Sequence, residues 1–159
     1  KFHALDIRQP LKRSIDQVLP SGKRNGIRLS ARIDDDLPPV WGDERALADC
    51  FGHLLRNSLE ALGHRKDAQI DLTATRLANG DARKGVQVTV RDNGQGIPNT
   101  IRDKVFSPFC TTKARGMGLG LPIVKRTVVD HNGRVQIETG EQGTAVTVML
   151  PTVGQGDKS

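Results

Sequence analysis

Val86-Gln87-Val88-Thr89-Val90-Arg91-Asp92-Asn93-Gly94-Gln95-Gly96 is the stretch from which the rest of the chain is read. Apolar and polar residues alternate from Val86 to Val90, the period of a half-buried strand. Val86, Val88 and Val90 therefore share one face, and Asp92, with the same parity, points inward at the strand's end. A carboxylate facing a core is costly unless something pairs with it. A ligand donor such as an exocyclic amine, a buried arginine and an internal water each meet that need. Gly94 and Gly96 remove side chains just beyond it, so a flat ring can lie close to the backbone. Alone, Asp-x-Gly-x-Gly reads equally as an ordinary turn.

A second cluster, Gly116-Met117-Gly118-Leu119-Gly120-Leu121, is more specific because a helical pattern begins within it. From Gly118 on, Leu121, Val124, Val128 and His131 fall at helical spacing. Pro122 suits a first helical turn, and Asn132-Gly133 supply a stop. A glycine-rich loop thus runs into a helix N-terminus, where free N–H groups and the positive dipole end face an anion. No Gly-Lys-Ser/Thr closes the loop, so it is not a P-loop, and its spacing is not that of a Rossmann turn. With Asn57 on an upstream helix, the two clusters describe a nucleotide pocket. In such a pocket Asp92 would read the base, Gly118 and Gly120 would let the backbone approach phosphate, and Asn57 would hold a metal.

The other elements frame this pocket. Residues 1–9 read as an incoming connector. Leu11, Ile15, Val18 and Leu19 predict an amphipathic helix ending at Pro20-Ser21-Gly22, and Ile27–Ile33 a strand. Asp43 caps a helix that runs to Leu62 and stops at Gly63. Leu47, Phe51, Leu54, Leu55, Ser58 and Leu62 line one side of it. Asp49, His53, Asn57, Glu60 and His64 form a stripe opposite, which is a solvated face unless the pocket abuts it. Gln69–Leu77 and Val86–Val90 are strands joined by the polar loop 78–85. Pro98 opens a short helical stretch through Ile101 and Val105. Residues 106–116 lack periodicity and look mobile and basic, suited to close over phosphates. Arg134–Thr139 and Thr144–Leu150 form a final hairpin across Gly140–Gly143. The resulting class is α+β: a two-layer sandwich of a mixed, mostly antiparallel sheet with helices on one face.

The chain has 159 residues, enough for one domain with a full core, and with four Phe, one Trp and no Tyr that core must be aliphatic. Its formal net charge of +6 comes from short pairs such as Lys12-Arg13, Lys23-Arg24 and Lys125-Arg126. That pattern reads as a solvated basic surface and not as a nucleic-acid interface. No apolar run reaches membrane-spanning length and there is no signal peptide, so the expected location is cytoplasmic without direct membrane contact. Two cysteines make no disulfide framework. Cys50 reads as core; Cys110, in a loop, is either an inert thiol or a redox sensor. The chain opens on Lys1, not Met, and is expected to be part of a longer protein.

At the quoted residues the sequence resembles the catalytic, ATP-binding domain of bacterial sensor histidine kinases, of the GHKL or Bergerat-fold superfamily. The resemblance runs from about Leu5 to Leu150. His53-Leu54-Leu55-Arg56-Asn57-Ser58-Leu59-Glu60-Ala61 resembles the N box, and Asp92–Gly96 the first glycine box. Phe106-Ser107-Pro108-Phe109-Cys110-Thr111-Thr112-Lys113 resembles the F box, and Gly116–Leu121 the second glycine box. Gly143-Thr144 resembles the family's closing Gly-Thr. The resemblance implies Mg²⁺ on Asn57, the adenine amine on Asp92 with Gly94 and Gly96 backing the ring, and Thr144 supporting Asp92 through a hydroxyl or a water. It further implies phosphate contacts at Gly116, Gly118, Leu119 and Gly120. Lys113 either neutralises phosphate or is a solvated loop lysine. The short Thr-Thr-Lys lid resembles that of the nitrogen-regulation and oxygen-sensing kinases.

Two positions depart from the pattern. His53 stands where many kinases have Asn and the ATPase relatives a catalytic Glu; a phosphate or metal-shell contact is favoured over a base role. Glu60 stands where some kinases carry a basic residue. The resemblance also implies what this chain lacks: no histidine lies in a phosphoacceptor context. The expected organisation is a connector (1–9) from a separate dimerisation and phosphoacceptor hairpin, an ATP-binding catalytic domain (10–151) and a flexible tail (152–159). The expected cofactors are ATP and Mg²⁺. The expected partners are that dimerisation domain and, through it, a response regulator, with this fragment monomeric and its parent a homodimer, soluble or anchored at the inner membrane. A serine kinase of the anti-sigma-factor type and an ATP-sensing module without transfer are the alternatives.

Overall fold

In the computed structural model, which describes residues 1–63, 65–77, 85–94, 121–140 and 142–152, five strands form one sheet in the order β2-β4-β5-β7-β6. These are β2 (Arg28–Ile33), β4 (Gln69–Leu77), β5 (Gly85–Asp92), β6 (Arg134–Gly140) and β7 (Gly143–Pro151). The β2–β4 pair is parallel and the other three pairs are antiparallel, so the sheet is mixed and mostly antiparallel. Among the described residues the helices are α1 (Arg8–Arg24), α2 (Glu44–Leu62) and α3 (Leu121–Asp130).

Strand alternation fixes which rows face the helices. Leu72, Val90 and Val146 lie side by side across the sheet, as do Ala74, Val88 and Val148, and all six are buried. The opposite face carries Thr73, Thr89 and Thr147 in register, half-buried, with the last two hydroxyls 3.1 Å apart. The valine rows meet Leu47, Phe51, Leu54, Leu55 and Leu62 of α2 in a single aliphatic core. Among the described residues one aromatic side chain, Phe51, is fully buried in it.

The local signals set α2 closely. The Asp43 carboxylate accepts from the Ala46 N–H at 3.1 Å, and Gly63 leaves the helix at φ +53°. In α1 the expected stop at Pro20–Gly22 does not occur, and the helix runs to Arg24. Proline removes one backbone bond, but Leu11, Ser14, Val18 and Gly22 continue a buried stripe past it, and packing outweighs the lost bond. The true stop is Gly26 at φ +73°, with Ile27 N–H reaching back to the Gly22 carbonyl at 2.8 Å.

Residues 1–9, expected as a connector, are built into the fold. His3–Leu5 form β1, paired antiparallel with β3 (Val40–Gly42), and Ile7 is fully buried. His131, just past α3, ties this ribbon to the helices. Its Nδ1 donates to the Thr127 carbonyl at 2.8 Å and its Nε2 accepts from the Asp43 N–H at 3.1 Å. Phe2 stacks on the same ring at 4.5 Å. No helix among the described residues is long and apolar enough to cross a membrane.

Candidate functional site

Strand β5 runs two residues further than its valine alternation requires, and this carries Asp92 into the sheet's inner face. Asp92 pairs in register with Ile70 of β4 and Thr144 of β7, and is only 5% exposed. Burial pushes its carboxyl above the ordinary value. Hydrogen bonding opposes that rise, from the Gly94 N–H, the Ser58 hydroxyl and the Thr144 backbone. The Gly94 N–H donates to Oδ1 at 3.0 Å. Among the described residues the partners of this carboxylate are neutral donors.

The glycines on either side have steric reasons. A Cβ on Gly94 would sit 3.0 Å from the Ala61 carbonyl oxygen of α2 and 3.3 Å from Asp92 Oδ1. Gly143 adopts φ +127°, and a Cβ there would collide with the Asp92 carbonyl oxygen. The first glycine therefore lets the turn lie on α2, and the second lets β7 start beside Asp92. The Thr144 hydroxyl, expected to support Asp92 directly or through a water, is 2.9 Å from that of Thr139 across the β6–β7 hairpin. Its direct contribution to the carboxylate comes from the main chain.

On α2, His53 and Asn57 are one turn apart, both half-buried, with Asp49 and Glu60 exposed on the same stripe. Burial lowers the His53 pKa, with the Arg56 charge acting in the same direction and Asp49 against it. The imidazole is therefore held neutral at physiological pH, as an acceptor or donor and not a cation. The Asn57 Nδ2 is buried and makes no hydrogen bond within the described structure. A carboxamide's two ends exchange by a half-turn, so this group can equally turn its oxygen toward the unpartnered position. A neutral oxygen with no competing protein partner is a fitting ligand for a hard cation. Among the described residues no cluster of three or more His, Cys, Asp or Glu side chains provides a metal cage.

Of the residues singled out in the sequence, Asp92, Gly94 and Thr144 come together at the ends of β5 and β7. Asn57 and His53 lie on α2, whose adjacent Ser58 joins Asp92. Gly96, Lys113, Gly116, Gly118, Leu119 and Gly120 lie outside the described residues, as do His64, Cys110 and the segments expected as a short helix and a lid. Sequence reasoning placed Ser58 with the core and gave Asn93 no role. Ser58 was detectable as a hydroxyl on an otherwise apolar stripe. Asn93 was detectable only as a turn residue, since its partners lie 24 and 26 positions away.

Comparison with known proteins places this arrangement. Residues 42–154 match the family model described as histidine kinase-, DNA gyrase B-, and HSP90-like ATPase. The chain is 35% identical over 153 residues to the sensory histidine kinase/phosphatase NtrB of Azospirillum brasilense, covering 91% of this chain and 38% of that protein. It is 37% identical over 134 residues to the C4-dicarboxylate transport sensor protein DctB of Rhizobium meliloti (strain 1021), covering 82% of this chain and 20% of that protein. It therefore spans well under half the length of these relatives. Among solved structures, the nucleotide-free catalytic domain of histidine kinase ThkA superposes with a TM-score of 0.82 at 25% identity, covering 96% of each chain. The matched region contains α2, the Asp92 turn and the β6–β7 hairpin, and the chain belongs to the family of histidine kinase-, DNA gyrase B- and HSP90-like ATPases.

Proposed function

We propose that this chain is the ATP-binding catalytic part of a sensor histidine kinase, acting with a separate dimerisation domain that carries the phosphoacceptor histidine. The observation that carries the reading is the Asp92 carboxylate, buried at the end of the β5 face that carries Val86, Val88 and Val90 and held, among the described residues, by neutral donors. Such a group is costly in the unliganded protein and gains when a base amine donates to it. Ser58 and the Gly94 N–H orient it, and the absence of a side chain on Gly94 lets the turn lie against Ala61 of α2.

Asn57, one residue from Ser58, is the candidate ligand for Mg²⁺, which when bound would offset the negative charge of the phosphates. His53, neutral and one turn away, is the candidate for a hydrogen bond to phosphate or to a metal-bound water. Catalysis is then positioning: the base is fixed at Asp92, and the γ-phosphoryl is presented to an incoming imidazole. A phosphohistidine so formed would pass its group to a response regulator, in keeping with the sensor-kinase names of the relatives.

Calorimetry with ATP in the presence and absence of Mg²⁺ tests the reading. Asp92→Ala should abolish measurable binding, and Asn57→Ala should remove the Mg²⁺ dependence. Unchanged binding in Asp92→Ala would overturn the pocket assignment. Supplied with a cognate phosphoacceptor domain, the chain should give an acid-labile phosphoprotein; an acid-stable product would point to a serine kinase instead.

A further inference from the structure

Asn93 follows Asp92 in the base-reading turn and its side chain turns toward the loop that precedes β4. Its Oδ1 accepts from the Gln69 N–H at 2.8 Å, and its Nδ2 donates to the Asp67 carbonyl at 2.8 Å. Its backbone N–H reaches the Gln69 carbonyl at 3.3 Å. The last register pair of the β4–β5 ladder is Ile70 with Asp92. The carboxamide thus stands in for a peptide group and carries the ladder one step past the end of the strand. Only a planar side chain with a donor and an acceptor at this length makes both bonds. The anchored loop is itself shaped for this contact, with Asp67 at φ +58°.

The chain leaving Asp92 is fixed at this point. The next N–H, on Gly94, returns to Asp92 Oδ1 at 3.0 Å, and a Cβ on Gly94 would come within 3.0 Å of the Ala61 carbonyl oxygen of α2. We infer that Asn93 is a positioning residue for base recognition. It clamps the turn to the α2–β4 loop and so holds the Gly94 N–H on Asp92 Oδ1 and aims the carboxylate at the exocyclic amine of an adenine nucleotide. The inference rests on the nucleotide reading of this site, and it assigns to Asn93 the discrimination between a 6-amino and a 6-oxo purine.

The test titrates ATP and inosine triphosphate, which lacks the amine, against the wild-type chain, Asn93→Ala and Asn93→Asp. Asp keeps the acceptor for Gln69 but repels the Asp67 carbonyl. The Gly94 amide proton shift is recorded without nucleotide in each. In Asn93→Ala, ATP affinity should fall about tenfold, the equivalent of one hydrogen bond to a charged group, while inosine triphosphate affinity changes little. The ATP preference should narrow accordingly, with Asn93→Asp intermediate, and the Gly94 shift should move toward that of a free amide. An apolar substitution against the core, Val135→Ala at a partly buried position, should lower the melting temperature without altering the preference. An unchanged preference and an unchanged Gly94 shift in a folded Asn93→Ala would overturn the inference. If the wild-type chain binds neither nucleotide, the reading of the site falls, and the Gly94 shift by itself decides whether Asn93 positions the turn.

Discussion

Replacing Asp92 by Asn separates what this residue costs the fold from what it does for a ligand. In the unliganded chain the carboxylate is buried, and burial is the dominant influence on it, against three hydrogen bonds. Its folded-state pKa lies above the ordinary value of 3.8. Between those two values the folded chain holds a proton that the unfolded chain releases, so stability falls as pH rises through that window. The contribution is fully present below the unfolded value and lost above the folded one. Asn is close to isosteric and carries no charge; its Oδ1 keeps the bond from the Gly94 N–H and its Nδ2 can donate to the Ser58 hydroxyl oxygen, so the loss is confined to the bond from the Thr144 backbone. At pH 7, Asp92→Asn should therefore stabilise the unliganded chain by about 1 kcal/mol, in the range of other relieved functional strains. For a chain of this size that raises the melting temperature by roughly 2–4 °C. The advantage should shrink toward zero as pH drops below the ordinary carboxyl range. ATP affinity should move the other way. A hydrogen bond to a charged acceptor is worth roughly 1.5–3 kcal/mol, so binding should weaken by about ten- to a hundredfold. Scanning calorimetry from pH 3.5 to 8 and titration calorimetry at pH 7 give both numbers. A variant less stable than wild type at pH 7, or one that binds ATP as tightly, would refute the reasoning.

Three further outcomes turn on single residues. His53→Glu places a carboxylate where the ATPase relatives have theirs, and should raise ATP hydrolysis at least tenfold, within the range of a general base; a wild type that already hydrolyses as fast contradicts the positioning account. Gly143→Ala forces a side chain into φ +127° and onto the Asp92 carbonyl, and should cost about 2–3 kcal/mol, read as a drop in melting temperature of roughly 4–12 °C; a neutral substitution would mean that β7 does not start where it is placed. Burial pushes the Cys50 thiol up to about 12, so in a Cys110→Ser background it should resist thiol reagents until denaturant unfolds the chain, whereas rapid labelling in native buffer would show that this part of α2 opens.

What the sequence revealed, and what it withheld, divides by the range of the interaction. Signals confined to a few residues were readable: the Asp43 cap and Gly63 stop of α2, the valine alternation of β5, and the Asn132-Gly133 end of α3, where Asn132 takes φ +62°. The inward parity of Asp92 belongs to this class, because a period of two needs no knowledge of the partner strands. The departures all depend on partners distant in sequence. Pro20 looked like a stop because its cost is local, whereas the stripe that overrides it packs on α2. Strand β3 is three residues long and exists because β1 pairs with it. Ser58 read as core because half of its role, the carboxylate it meets, comes from β5. Asn93 is the sharpest case. Its type suits a turn, and local rules stop there, yet its carboxamide closes two bonds to a loop in another element. The residues proposed to recognise a ligand were visible as a motif because each has a local signature. The residues proposed to aim them were not, because aiming is a relation between elements. For this site, substitutions that alter specificity without touching the motif glycines or Asp92 should therefore be sought first at Asn93 and Ser58.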